Sequence, residues 1–240
     1  MFEKIERLQL VLLAIILAFG IFFATKYATN AVAKEDVTVT GSAYKIVKSD
    51  SGKLHFSIIV KAPTKALAYT KLKNQMPIVK NYLTDKGFED IEIKPSNGYY
   101  SYKYNNITGN YTNEVDSYNL SQPVEVNSSD VNKIKEVSLD IQNLLEKGVD
   151  VDSCDTAYFY SKLSDLKVEL LEAATNDAKE RASAMLKATH NKVGKIESVK
   201  MGVFQITEVD STNVSDMGIN DTSTIDKKVT AVANVVFKVK

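Results

Sequence analysis

Reactive side chains are scarce in this 240-residue chain: two histidines, His55 and His190, and a single cysteine, Cys154. Neither histidine has a second His, Cys or carboxylate at ligand spacing, so no metal site and no nucleophile's base takes shape around them. His55 is expected to face solvent or a helix. His190, near a helix end, complements the negative end of the helix dipole. Asp150, Asp152 and Asp155 surround Cys154, but they lack the glycine-centred loop of a calcium site and read as a solvated strand edge. Asp210, Asp216, Asp221 and Asp226 fall in a loop whose polar composition accounts for them. There is no phosphate-cradling glycine loop, no G-x-S-x-G elbow and no paired-cysteine motif, so phosphoryl transfer, serine hydrolysis and redox catalysis lack their local signatures. The expectation is a protein that is not an enzyme, with no catalytic residue, no metal and no cofactor.

Tyrosine is the more informative residue. Tyr99, Tyr100, Tyr102, Tyr104, Tyr111 and Tyr118 crowd one stretch, interrupted by the turn formers Asn105-Asn106 and Thr108-Gly109-Asn110. Strand alternation would lay several of these rings along one strip, with apolar bodies and hydroxyl tips of the kind favoured at protein interfaces. Ordinary strand propensity accounts for the same residues without any partner. If the strip is functional, copies of the chain, or another protein, meet on this hairpin.

The elements that must position these residues begin with an apolar run at residues 8–25. Twelve of its eighteen residues are Leu, Ile, Val or Phe, and as a helix it spans roughly 27 Å, close to the ~30 Å hydrocarbon thickness of a bilayer. It reads as an uncleaved N-terminal membrane anchor, placing the rest of the chain outside the cytoplasmic membrane. The alternative is a signal sequence removed after Ala33, within Ala31-Val32-Ala33, leaving a secreted or periplasmic protein. Residues 1–36 are therefore the anchor, or signal sequence, and its connector, and residues 37–240 a single domain. Acidic and basic residues balance at thirty each, which argues against nucleic acid as a partner. A lone cysteine excludes an intrachain disulfide, and Cys154 is expected to be buried.

Beyond the connector, Val37-Thr38-Val39-Thr40-Gly41 opens a strand. Leu54, Phe56, Ile58 and Val60 form the apolar face of a second strand, joined to the first as a hairpin through Ser49-Asp50-Ser51-Gly52. Thr64 caps a helix that carries Leu72, Met76, Val79 and Leu83 on one stripe and stops at Lys86-Gly87. Pro77 inside it should kink or split it. Residues 91–94 and the tyrosine hairpin follow. A second helix carries Val131, Ile134, Val137, Ile141 and Leu144 and ends at Lys147-Gly148, and residues 149–163 form another strand. The third helix turns Leu171, Ala174, Ala178, Ala182 and Met185 inward, small residues that let it lie close against a sheet. Residues 193–207 and 225–240 are the last strands. The fold class is α+β: a mainly antiparallel sheet with about three helices packed on it, preceded by one N-terminal transmembrane helix.

Four segments in order, VTVTGSA at residues 37–43, FYSKLSD at 159–165, LLEAATNDAKERASAML at 170–186 and NKVGKIESV at 191–199, resemble the SIMPL-domain family. Its ending, a polar loop and then alternating β-branched residues, is similar to residues 225–240. The resemblance implies an exported bacterial envelope protein, with some members tied to oxidative-stress defence and the animal namesake to kinase signalling. Members often carry Pro-Asp after the first strand, where this chain has Ser49-Asp50. The family has no established catalytic residues to carry over.

These readings converge on a membrane-anchored, extracytoplasmic protein that acts by binding or self-association in envelope or oxidative stress tolerance. Its expected partners are the membrane, through residues 8–25, further copies of itself and other envelope proteins. The alternative is an enzyme of unrecognised type, or a small-ligand binder, in the cell envelope.

Overall fold

The computed structural model describes residues 2–32 and 35–240, and within the first helix the side chains of residue 9 and residues 12–27. In chain order the elements are α1 (Phe2–Val32), β1 (Asp36–Lys48), β2 (Ser51–Ala62), α2 (Lys65–Asp85), β3 (Ile91–Ile93), β4 (Asn97–Asn105) and β5 (Asn110–Ser128). Next come α3 (Val131–Asp140) with a 3-10 turn at Ile141–Lys147, β6 (Asp150–Phe159), α4 (Leu163–Lys187), β7 (Val193–Met201), β8 (Gln205–Glu208), β9 (Ile219–Asn220) and β10 (Asp226–Val239). The fold is α+β, but with two five-stranded sheets where the sequence suggests one. One sheet has the order β1-β10-β8-β9 with β7 also on β10, and the other β3-β5-β2-β6 with β4 on β5. The described pairings are antiparallel except β8 with β9.

The expected hairpin between β1 and β2 does not form. Both edges of β2 are occupied, by β5 and β6, and β1 pairs with β10 instead. The two residues between them hold other strands: Ser49 N–H donates to Ile225 O at 2.8 Å and Asp50 N–H to Phe159 O at 2.9 Å. A local turn signature is blind to which distant strand competes for an edge.

The chain divides into two compact units, the larger comprising residues Tyr44–Leu170 and Val203–Thr230. Its core is the inner face of β2, where Leu54, Phe56, Ile58 and Val60 are all but sealed from solvent. The same cluster takes in Leu120, Val124 and Val126 of β5, Leu72, Val79 and Leu83 of α2, and Val131, Ile134 and Val137 of α3. Thr64 caps α2 as the sequence indicates, its hydroxyl accepting from Leu67 N–H at 3.3 Å. α2 runs through Pro77 without being split. Gly148, at φ 75°, supplies the left-handed residue that ends the 3-10 turn before β6.

The other unit comprises Met1–Ala43, Leu171–Gly202 and Ala231–Lys240. Here Ala174, Ala178 and Ala182 of α4 are buried, as are Val235 and Phe237 of β10. A Cβ built on Gly41 of β1 would collide with the carbonyl of Ala174 and the backbone of Ala178, so strand and helix meet backbone to backbone. The inward stripe differs from the expected one at its ends. Leu170 and Leu186 are buried, whereas Met185 is exposed and Leu171 only partly covered. His190 follows α4 at φ 61°, a left-handed conformation usually left to glycine, and its N–H donates to Lys187 O at 3.3 Å.

α1 presents Leu12, Leu13, Ile15, Ile16, Leu17, Phe19, Ile21, Phe22 and Phe23 at 49–65 % exposure. Among the described residues no helix is long and apolar enough to cross a membrane. The span expected at residues 8–25 includes Leu8, Leu10 and Val11, whose side chains lie outside the described residues, as does the expected cleavage site at Ala33.

Two outcomes test this packing. Gly41→Ala should cost about 1–3 kcal/mol, because the new methyl meets backbone that cannot rotate away, whereas Ser42→Ala at the exposed neighbouring position should stay within about 0.5 kcal/mol. Urea titration of both variants checks it. His190→Gly should raise the melting temperature, since relieving a left-handed non-glycine residue returns about 1–2 kcal/mol against a smaller entropic loss.

Candidate functional site

β4 and β5 form the expected tyrosine hairpin, and the register decides which rings share a face. Tyr100 stands opposite Tyr118, Tyr102 opposite Val115 and Tyr104 opposite Tyr111. Extra residues in β5 between these pairs bulge that strand, while β4 keeps its alternation. One face therefore carries Tyr100, Tyr102 and Tyr104 with Tyr111, Val115 and Tyr118; Tyr99 points the other way, beside Ser101, whose hydroxyl accepts from the Asn119 amide at 2.6 Å. Two of the pairs pack edge to face, Tyr100 on Tyr118 with ring centroids 4.9 Å apart and Tyr104 on Tyr111 at 5.2 Å. On the opposite face Lys103 and Glu114 pair at 3.0 Å.

Solvent divides the six tyrosines further. Tyr102 and Tyr104 are about half exposed and Tyr111 is 74 % exposed, but Tyr118 is only 6 % exposed and belongs to the core. The inner face of the sheet runs on past its helical cover and emerges as the strip Tyr100, Tyr102, Tyr104, Tyr111 and Val115. Val115 escapes a reading by tyrosine content, and Tyr118 has the same alternation as its exposed neighbours. Only the position of α2 distinguishes them.

The groups singled out for chemistry are dispersed. His55 is half-buried on the outer face of β2, opposite Glu125 of β5 and Asp155 of β6. Glu125 is already engaged by Lys53 at 2.5 Å. Cys154 is half-buried rather than buried: a bulge at Asp152 turns it inward opposite Phe56, but only at the margin of the core. Burial, and then the charge of Asp155, push its thiol pKa up, away from the reactive thiolate. Asp150, Asp152 and Asp155 are exposed. Among the described residues no three His, Cys, Asp or Glu side chains group closely enough to hold a metal ion.

Of the loop carboxylates, Asp210, Asp216 and Asp226 are exposed and Asp221 is enclosed. Burial alone would raise the Asp221 pKa, but hydrogen bonds from Thr224 and Ser223 and the charge of Lys227 hold it far below the usual carboxylate range. Lys227, 3 % exposed, donates to Asp221 O at 2.7 Å and lies 3.4 Å from its Oδ2. Burial lowers the Lys227 pKa, which Asp221 offsets only in part. This pair ties the polar loop to β10.

Asp50, in the connection between β1 and β2, has a structural task. Its carboxylate accepts from Ser161 N–H at 2.8 Å and Ser161 Oγ at 2.7 Å, joining the β1–β2 connection to the segment that leads into α4. Desolvation opposes ionisation there, and the Ser161 hydrogen bonds overcome it, so the Asp50 pKa lies below its ordinary 3.8.

A depressed carboxyl pKa adds stability that is fully present above the unfolded value and is lost as pH falls through the folded one. Asp50→Asn should therefore lower stability at neutral pH by about 1 kcal/mol. The gap to the parent should close on acidification below 3.8. Denaturant titrations across pH check both statements, and a gap independent of pH would refute the assignment.

A family model described as SIMPL, protein of unknown function (DUF541), matches residues 37–237. No curated protein matches the chain.

Proposed function

Because the chain belongs to the SIMPL family, whose function is undefined, we propose its role from its own surfaces: a membrane-anchored, extracytoplasmic protein that works by binding rather than catalysis, self-associating through the tyrosine face of the β4–β5 hairpin. The observation that carries this reading is the strip of Tyr102, Tyr104, Tyr111 and Val115, exposed side by side on the continuation of a core face. Aromatic rings with polar tips give large contact area at small conformational cost, and are enriched at the centres of interfaces. The apolar side chains of α1 support the anchor, since a helix with such a surface needs an apolar surrounding. The resemblance to exported members supports a place in the envelope and a part in stress tolerance. Other envelope proteins could meet the same face.

Light scattering on the full chain in detergent, with the detergent's mass subtracted, tests the assembly. A defined oligomer is expected, and Tyr102→Ser/Tyr104→Ser/Tyr111→Ser should weaken association at least about tenfold, since each aromatic pair adds ~0.5–1.5 kcal/mol. A monomer in both forms would end this reading. Alkaline extraction of membranes tests the anchor: the chain is expected to stay with the lipid, and its release would remove the anchor from the proposal.

A further inference from the structure

Between the first turn of α2 and the base of the β4–β5 hairpin lies an open groove of about 600 Å³, lined among others by Lys65, Tyr69, Ser96, Gly98, Tyr118 and Leu120. That volume suits a small organic ligand. Among the described residues no carboxylate lines it. Lys65 makes no ion pair among the described residues; its ammonium lies 5.9 Å from the centroid of the Tyr118 ring. Tyr118 is more than nine-tenths buried as a residue, but its hydroxyl reaches solvent, and among the described residues no protein group hydrogen-bonds it. It stands over Gly98, where any Cβ would collide with it, so the strand leaves the hydroxyl open to the groove.

The backbone adds to the same polarity. Thr64 satisfies the N–H groups of Leu67 and Ala68, while those of Lys65 and Ala66 have no acceptor among the described residues, at the positive end of a 21-residue helix. One cation and one free hydroxyl thus share a groove that Lys65 and Ala66, the two residues with free amides, also line. The remaining walls, the rings of Tyr69 and Tyr118 and the side chain of Leu120, are flat and apolar. We infer that this groove binds a monoanion, a carboxylate carried on a flat aromatic body. The carboxylate meets Lys65, the free amides and the Tyr118 hydroxyl, and the ring lies against Tyr69 and Leu120. A free aromatic acid and the C-terminal aromatic residue of a peptide present this same chemistry. The inference does not depend on Tyr102, Tyr104, Tyr111 and Val115, which lie further out on the hairpin.

Fluorine NMR on the full chain in lipid nanodiscs tests it, with empty nanodiscs subtracted and para-fluorobenzoate and para-fluorobenzamide as probes. The acid is expected to bind at least tenfold more tightly than the isosteric amide. Lys65→Met should abolish that preference, and Tyr118→Phe, which keeps the ring, should weaken the acid about threefold; thermal melts establish that both variants fold. Displacement by N-acetylphenylalanine but not by its amide would identify a peptide end as the source, and failure to displace would identify a free acid. Equal binding of acid and amide, a preference that survives Lys65→Met, or no binding at about 10 mM, the limit of a useful affinity, would overturn the inference. Loss of binding in Tyr102→Ser/Tyr104→Ser would place the probe on the strip, and would overturn the groove while leaving self-association standing.

Discussion

Everything in the larger unit depends on β2 having both edges taken and one face buried. Leu54, Phe56, Ile58 and Val60 are sealed on the inner face, and the strand pairs with β5 from Gly52 to Ala62 and with β6 from Ser51 to Ile59. A strand in that position can accept no third neighbour, so the segment preceding it must leave the sheet within two residues. That is why β1 belongs to another sheet, and why Ser49 and Asp50 spend their backbone N–H groups on Ile225 and Phe159. The Asp50 carboxylate on Ser161 fixes the same crossing from its side-chain end.

The exposed tyrosines follow from a mismatch of lengths. β5 has 19 residues, about 65 Å at the rise of an antiparallel strand, whereas the 21 residues of α2 cover about 31 Å. A helix packed on the core end of β5 cannot reach the hairpin tip, so the inner face must emerge uncovered beyond it. Tyrosine tolerates that boundary because one end of its ring can be dry and the other wet. Tyr118 lies just inside the edge of the cover and Tyr102 just outside it, which makes one a core residue and the other a surface residue with no difference in local sequence.

The same distinction explains what could be read without a structure. Periodicity marks the alanine face of α4, the caps at Thr64, Gly87 and Gly148, and the existence of the tyrosine hairpin, because each is decided by a few neighbouring residues. Strand partners were not legible, since the Ser-Asp-Ser-Gly turn signature carries no information about β5 and β6 competing for the edges of β2. Nor was the phase of α4 at its ends: Leu170 and Leu171 are the same residue type, and only the sheet decides which faces it. Cys154 is turned inward by a bulge at Asp152, which alternation alone misses. The groove at Lys65 is assembled from α2 and the strands beside it, so no single stretch announces it.

The perturbed titrations mark groups that serve the scaffold. Here Asp50, Asp116, Glu125, Asp140, Asp177 and Asp221 are all moved down, and Lys45, Lys86 and Lys94 up. Each is therefore fixed more firmly in the charge it already carries. Tyr82, buried and bonded to Asp140, moves further from ionisation, and Cys154 moves away from the thiolate. Among the charged groups of the described residues Lys227 alone shifts toward neutrality, and its ammonium is held by Asp221 in a contact that anchors a loop. These shifts are those of groups holding a scaffold together. The Tyr118 hydroxyl and the first amides of α2, without protein partners among the described residues, are polar atoms the scaffold leaves open to solvent.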